Sequence, residues 1–495
     1  MGDRLLYRLL LLIFGLRASI TLGNEQEALM VGAAQVEITP PLGFPIAGYY
    51  HERLATGKKD PLWAKAVVWK QGETRAVFVG CDLTGIAFDL TGEVRQRVSA
   101  QTGIPPEAII LSGTHSHTAP DYGRDLHRFL EKKAATAQGD STYSARLIEA
   151  VTEAILHARE QCVPATVSIA SVRQQVPVSF NRRFVMKDGS VKTWQSLSTP
   201  GVVRAAGPID PEVGLVVIRN IADKKPIAAC TNFALHLDTV GGLEWSADYP
   251  FYMEQALRRE LGGEFVSVFG LGCCGDINHV NPASPQRNKT EFIGNALGET
   301  AVMALSLLQP IQTPRLRVMS EVVRLPLQQP ALADIRHSRE LLKAIQAGGK
   351  ADFLDQVTAY RSVMVDHFLH RDPVGPPQEL ISSGLSHRLA GIGEELPVEV
   401  HVLCVGEELA FVFLPGEVFV ELGLAIKQGS PFRQTHVVEL SNFVETFYIP
   451  NRAAYAQGSY EVTNSALQAG SGEMLVEVAL RLLRKASQGA SPPHP

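Results

Sequence analysis

Five apolar runs in this chain break off abruptly at polar, chemically capable residues, and this pattern constrains the fold more than any other feature. They are 77–82 (VFVGCD), 109–117 (IILSGTHSH), 232–238 (NFALHLD), 267–276 (SVFGLGCCGD) and 411–417 (FVFLPGE). In open α/β sheets, ligands gather beyond the carboxyl ends of strands. Five such endings therefore predict one composite site. Strand-like segments are read at 64–70, 76–79, 108–111, 215–218, 227–235, 264–269, 315–325, 399–405 and 409–413. Helical spacing covers 89–102, 144–161, 250–261, 291–308, 331–346, 351–369, 418–427 and 465–487. Strands interleaved with helices predict an α/β architecture, mixed sheets with surrounding helices, rather than a sandwich or a bundle.

The chain has 495 residues, 45% of them hydrophobic, enough for a large buried core. A net charge of −5 and the lack of a dense Lys/Arg run argue against nucleic acid as a partner. Arg4 and Arg8 precede or interrupt a short apolar run, 9–16, followed by small residues near Ala18, Ser19 and Gly23. The run is too short to span a bilayer, so a signal peptide over 1–23 and export to the periplasm or outside are expected. Residues 24–487 are read as one catalytic domain. Pro-rich stretches at 326–330 and 373–379 bracket a helical insertion, 331–370, and 488–495 reads as a frayed tail. The six cysteines show no CxxC pair, and adjacent Cys273 and Cys274 read as small buried residues in a tight loop.

His115 and His117 lie one residue apart, and in extended backbone their imidazoles point the same way. Such a pair at a strand end is a metal signal, because imidazole is a common metal ligand. Asp82 ends a neighbouring run, where a loop-stabilising role is the simpler reading. His236 ends a third run, and alone it reads as a half-buried histidine. Glu417 either opens the helix after it or binds a metal, and the two roles are compatible. The glycine-rich loop of Asp276, Asn278 and His279 suits close approach to a ligand. Arg182 could hold a carboxylate or form an ion pair. Tyr448, Tyr455 and Tyr460 carry no role by spacing alone.

Together, LSGTHSHTAP, the NRR of VSFNRRF, FALH, GDIN, LPGE and YIPNRAAYAQGSYE resemble, in this order, the N-terminal catalytic domain of the neutral/alkaline non-lysosomal ceramidases. The resemblance runs from about Val31 to near Arg484. It implies one zinc ion per chain bound by His115, His236, Glu417 and Tyr448. His117, Arg182 and Tyr460 would stabilise the substrate carbonyl as zinc-activated water attacks an N-acyl amide. Where the family's loop carries serine, this chain has Asn278 followed by His279, which excludes a serine nucleophile there and makes both residues catalytic candidates. The tyrosine-rich segment is altered around Pro450 to Ala454, and the sequence ends before the family's immunoglobulin-like domain. A divergent ceramidase-like zinc amidohydrolase lacking that domain is therefore expected. Its substrate is a small-molecule or lipid amide, compatible with peripheral membrane contact and without an obligate protein partner. Two other functions fit the same residues: a zinc hydrolase of an ester or polar conjugate such as a modified sugar, and a non-catalytic exported binding protein.

Overall fold

Most strands are apolar on both faces, because each sheet is covered twice. In the computed structural model the first sheet contains β1 (Met30–Glu37), β2 (Trp63–Gln71), β3 (Thr74–Cys81), β4 (Ile109–Gly113), β5 (Val163–Arg173), β6 (Glu212–Asn220), β7 (Pro226–Phe233) and β8 (Val266–Leu271). Their spatial order is β8-β7-β6-β5-β1-β2-β3-β4, with the short strand Gln309–Pro310 also pairing β5. The second sheet, in order, is β9 (Leu316–Pro326), β10 (Glu395–Val405), β11 (Leu409–Phe413) and β12 (Gln434–Val438). The structure describes residues 27–135, 142–284, 286–370, 386 and 388–488. The segment read as a signal peptide, the 373–379 stretch and the tail beyond 488 lie outside the described residues.

The two sheets share a core. Ala76 and Phe78 of β3 face Phe411, Phe413 and Val438 of the second sheet, and the rings of Phe78 and Phe413 lie 5.0 Å apart. Alternate residues Val77, Val79 and Cys81 turn outward, onto helices Phe88–Thr102 and Tyr143–Glu160. Elsewhere on the first sheet, β6 and β7 pack on helices Tyr249–Leu261 and Thr290–Leu305. Helices Phe353–Leu369 and Ser471–Gln488 cover the outer face of the second sheet. The expected mixed sheets with surrounding helices are present, and the sheets also pack on each other. A strand buried on both faces reads as a continuous apolar run, so its sequence does not say whether a helix or a second sheet covers each side.

Topology explains the clustered strand endings. β3 and β4 run parallel, as do β7 and β8, and β11 and β12. Each parallel pair brings two carboxyl ends to the same edge. Ser112 of β4 bridges Ser441, just beyond β12, so the functional edges of the two sheets meet. The segment read as an insertion contains two helices, Leu332–Gln346 and Phe353–Leu369. It reaches the opposite loop, where the Gln356 Nε2 donates to the carbonyl of Tyr50 at 3.4 Å. Strands β1, β5 and β12 lie outside the segments read as strands. β1 is rich in small residues, and β5 is diluted by Thr and Ser on its alternating positions.

Candidate metal centre

His115 leaves β4 with φ at +73°, in the left-handed region that a non-glycine residue enters at a cost of about 1–3 kcal/mol. The two histidines of the HxH motif are therefore not aligned by strand alternation, as extended backbone would have it. A turn brings them together instead, with the Nε2 atoms 3.3 Å apart. The turn is pinned by His115 N donating to Leu83 O at 2.8 Å and His117 N donating to Leu237 O at 3.0 Å. The second bond ties the motif to the loop that carries His236.

His115, His236 and Glu417 form a closed triangle of donor atoms. The two Nε2 atoms lie 3.1 Å apart, and Glu417 Oε2 is 3.3 Å from His115 Nε2 and 3.4 Å from His236 Nε2. Around Zn²⁺ with bonds of 2.0–2.1 Å, a tetrahedral face has edges of about 3.3 Å. The triangle has that size. The ring tautomers also fit. His115 Nδ1 donates to Thr84 O at 2.7 Å and His236 Nδ1 donates to Cys274 O at 3.1 Å. With the proton on Nδ1, each neutral ring turns a bare Nε2 lone pair toward the triangle. Glu417 Oε2 is buried and has no hydrogen-bond partner among the described residues. Two lone pairs and a carboxylate oxygen facing one point are complementary to a cation.

Electrostatics agrees. Burial, then Arg182 and His115, hold His236 well below the ordinary histidine range, while burial and His115 do the same to His117. Burial opposes charge on Glu417, yet its carboxyl stays below the usual range because His115 and Arg182 outweigh that penalty. His115 alone is raised: burial works against it, but Glu417 wins. Neutral His236 and ionised Glu417 are in the forms that bind metal, while on His115 a cation would compete with the proton that Glu417 favours.

Tyr448 reaches this triangle through backbone register. Glu417–Val418 pairs in parallel with Tyr448–Ile449, placing Glu417 opposite Tyr448. The phenol interacts electrostatically with both Glu417 and Arg182, whose guanidinium lies 5.4 Å from its ring. Burial and the Glu417 charge keep its pKa well above the ordinary tyrosine value. Arg182 reaches the site with Nη1 3.5 Å from His236 Nε2, and is fixed by Nη2 donating to Gly275 O at 2.7 Å. Its Nε donates to Glu461 Oε1 at 2.9 Å, and Arg183 Nη1 donates to Glu461 Oε2 at 2.9 Å. Tyr460 packs against Tyr448 with ring centroids 5.4 Å apart, and burial together with Glu417 pushes its hydroxyl up to about 12.

Asn278 and His279 are not brought to the triangle. Asn278 Oδ1 accepts from Val280 N at 3.1 Å, a local turn. His279 is buried, pushed down to about 4 first by burial and then by Arg287, and it feels Asp238 rather than the donor atoms. Asp82 accepts from Trp63 N at 2.9 Å and so stabilises its loop, whereas the residue that orients His115 is Thr84, through its backbone carbonyl. Cys274 likewise acts through its carbonyl, and all six cysteines are free. A backbone acceptor leaves no side-chain signature in a sequence. Glu461 had a readable position, directly after Tyr460, but nothing marked it as the anchor of Arg182.

A cavity of about 720 Å³ opens onto the site. Its lining includes His115, His117, Glu417, Tyr448 and Tyr460 beside apolar Phe44, Ile46, Met364 and Phe447. Arg124, Arg128 and Arg361 line the same cavity, with Glu52 and Asp125.

Comparison with known proteins bears on this arrangement. Residues 29–242 match the family model described as neutral/alkaline non-lysosomal ceramidase, N-terminal. No curated protein matches the chain in sequence. Among solved structures, a ceramidase complexed with C2 superposes with a TM-score of 0.67 at 16% identity, covering 95% of this chain and 76% of that one. A neutral ceramidase from Pseudomonas aeruginosa gives a TM-score of 0.65 at 18% identity, covering 93% of this chain and 75% of that one. The matched segment holds His115, His117, Arg182 and His236. The resemblance carried by the motifs is thus borne out: the fold is that of the neutral ceramidases, and residues 29–242 match the N-terminal model of the neutral/alkaline non-lysosomal ceramidase family.

Proposed function

We propose that this protein is a ceramidase-like hydrolase that uses zinc to cleave an N-acyl amide. The observation that carries the reading is the triangle of His115 Nε2, His236 Nε2 and Glu417 Oε2, with edges of 3.1, 3.3 and 3.4 Å. Two histidines and a carboxylate, with a further position left for water or substrate, make up a common catalytic zinc set. Tyr448, opposite Glu417, is the fourth proposed ligand, and His117 flanks the open position. Zinc supplies Lewis acidity toward a carbonyl and lowers the pKa of a water toward ~7.

The chain's own residues do the rest. Arg182, held by Glu461, aims its guanidinium at the site and donates to negative charge developing on the carbonyl oxygen. His117, once it has taken a proton from the attacking water, offers a further donor there. One good donor of this kind is worth about 3–4 kcal/mol. An imidazole is also suited to passing a proton to the leaving nitrogen. The apolar part of the cavity accommodates an acyl chain. Passage through a signal segment at 1–23 would place the enzyme outside the cytoplasm. No helix among the described residues is long and apolar enough to cross a membrane.

The charged lining supports a second reading, in which the acyl group is joined to a polar partner or the bond is an ester. Arg124, Arg128, Arg361, Glu52 and Asp125 are unsuited to a uniformly aliphatic substrate. Incubation with an N-acyl sphingoid amide and with a polar acyl conjugate, each with and without chelator, tests both. Chelator-sensitive release of the acid from the first substrate is expected. Cleavage of the second alone would move the assignment to polar conjugates, and chelator-insensitive cleavage would contradict the zinc chemistry.

A further inference from the structure

Two of the three clustered histidines have Nδ1 fixed by a backbone carbonyl, Thr84 O for His115 and Cys274 O for His236. The third does not. His117 Nδ1 is buried without a hydrogen-bond partner among the described residues, and the acceptor that faces it is Asp238 Oδ1 at 3.8 Å. Asp238 is itself held, since the Tyr49 hydroxyl donates to the same Oδ1 at 2.8 Å. Tyr49 is in turn covered by the guanidinium of Arg53, 4.1 Å above its ring. Arg53 Nη2 also donates to the His117 carbonyl at 2.6 Å and to Ala47 O. Between Ala47 and Tyr49, Gly48 has φ of +97°, and a Cβ there would lie 2.6 Å from the His117 ring. The 47–53 loop therefore closes over His117 and leaves one side of the imidazole facing a carboxylate.

We infer that Asp238 is the positioning residue for His117, with Tyr49 and Arg53 as its supports. A small swing of the ring closes 3.8 Å to hydrogen-bond distance, the tightening typical of catalytic contacts once substrate is bound. Nδ1–H then points at Asp238 and Nε2 at the reacting centre. A carboxylate behind an imidazole fixes both its tautomer and its orientation. The backbone acceptors behind His115 and His236 hold a rigid donor pair, whereas a side-chain carboxylate behind His117 permits adjustment during the reaction. This inference rests on the proposed hydrolase reading and adds a residue to it.

Asp238→Asn keeps the shape and removes the charge, and Tyr49→Phe removes the hydroxyl that holds the carboxylate. Removing such an orienting partner typically costs 10–100-fold. In Asp238→Asn, kcat is expected to fall about 10–100-fold, with KM and zinc affinity each within about threefold of the parent protein, and Tyr49→Phe should fall less. Imidazole nitrogen NMR of the metal-free protein supplies a readout without turnover: His117 should hold its proton on Nδ1, and the distribution should shift in Asp238→Asn. A raised KM with unchanged kcat would overturn the inference and make Asp238 a substrate contact. An unchanged kcat and KM, or a loss explained wholly by weaker zinc binding, would also overturn it. A parent protein that binds no zinc and cleaves nothing would instead overturn the hydrolase reading.

Discussion

At the scale of single residues, the site is made by what stands behind each functional group. Thr84 and Cys274 set the histidine tautomers through carbonyl oxygens, and Glu461 fixes Arg182 from a fully buried position. Buried acids outside the centre show how strongly the interior acts on charge. Glu445 accepts from Phe88 N at 2.8 Å, and burial raises its carboxyl to about 8. Because its folded pKa is raised, its contribution to stability is complete below the unfolded value near 4.5 and is lost as pH rises through 8. Glu445→Gln stays neutral and escapes that loss. Denaturation curves should therefore show the variant gaining on the parent from about pH 5 to pH 8, by up to about 1.4 kcal/mol per pH unit, then levelling off. A stability difference that stays flat over this range would refute the assignment.

At the scale of elements, the site depends on loops from different sheets touching without space between them. The glycine after Cys274 shows this. A Cβ on Gly275 would lie 2.6 Å from the Glu417 carbonyl oxygen, and Gly275 N donates to Val418 O at 2.9 Å. Gly275→Ala must displace the strand that carries Glu417. We expect a metal affinity at least about tenfold weaker, measured by chelator competition, with circular dichroism unchanged. Gly241→Ala, where an added Cβ meets nothing within 4 Å, is the control and should bind as the parent does. Equal affinities in the two variants would show that the Gly275 contact does not position the ligand.

At the scale of the whole molecule, the sequence made the elements legible and left their assembly unread. Strand β11 occupies the run read at 409–413, and the helix Phe88–Thr102 starts one residue before the run read at 89–102. The five run endings converge in part: those of β4, β7, β8 and β11 carry groups that hold or form the centre, whereas Asp82, at the end of the β3 run, stabilises its own loop. The convergence of the HxH pair was also readable, although its cause was not, because a positive φ at His115 leaves no mark in residue type. Asn278 and His279 were singled out because they replace a serine. That argument concerned chemistry at one position and carried no distance to the donor triangle. The contribution of Asp238 lay two residues from His236 in plain sight, but its partners Tyr49 and Arg53 come from a loop nearly two hundred residues away. Pairings across such separations depend on sheet order, which local periodicity does not encode.

The fold as a whole does not rest on the proposed metal. The donor triangle sits at the sheet edges, while the inter-sheet core around Phe78, Phe411 and Phe413 lies behind it. The most direct measurement is the zinc content of the purified, folded protein beside its His115→Ala and His236→Ala variants. One equivalent of zinc per chain is predicted for the parent, and almost none for either variant, with unfolding transitions largely preserved. A folded parent without bound metal, or a His236→Ala variant that keeps a full equivalent, would contradict the account.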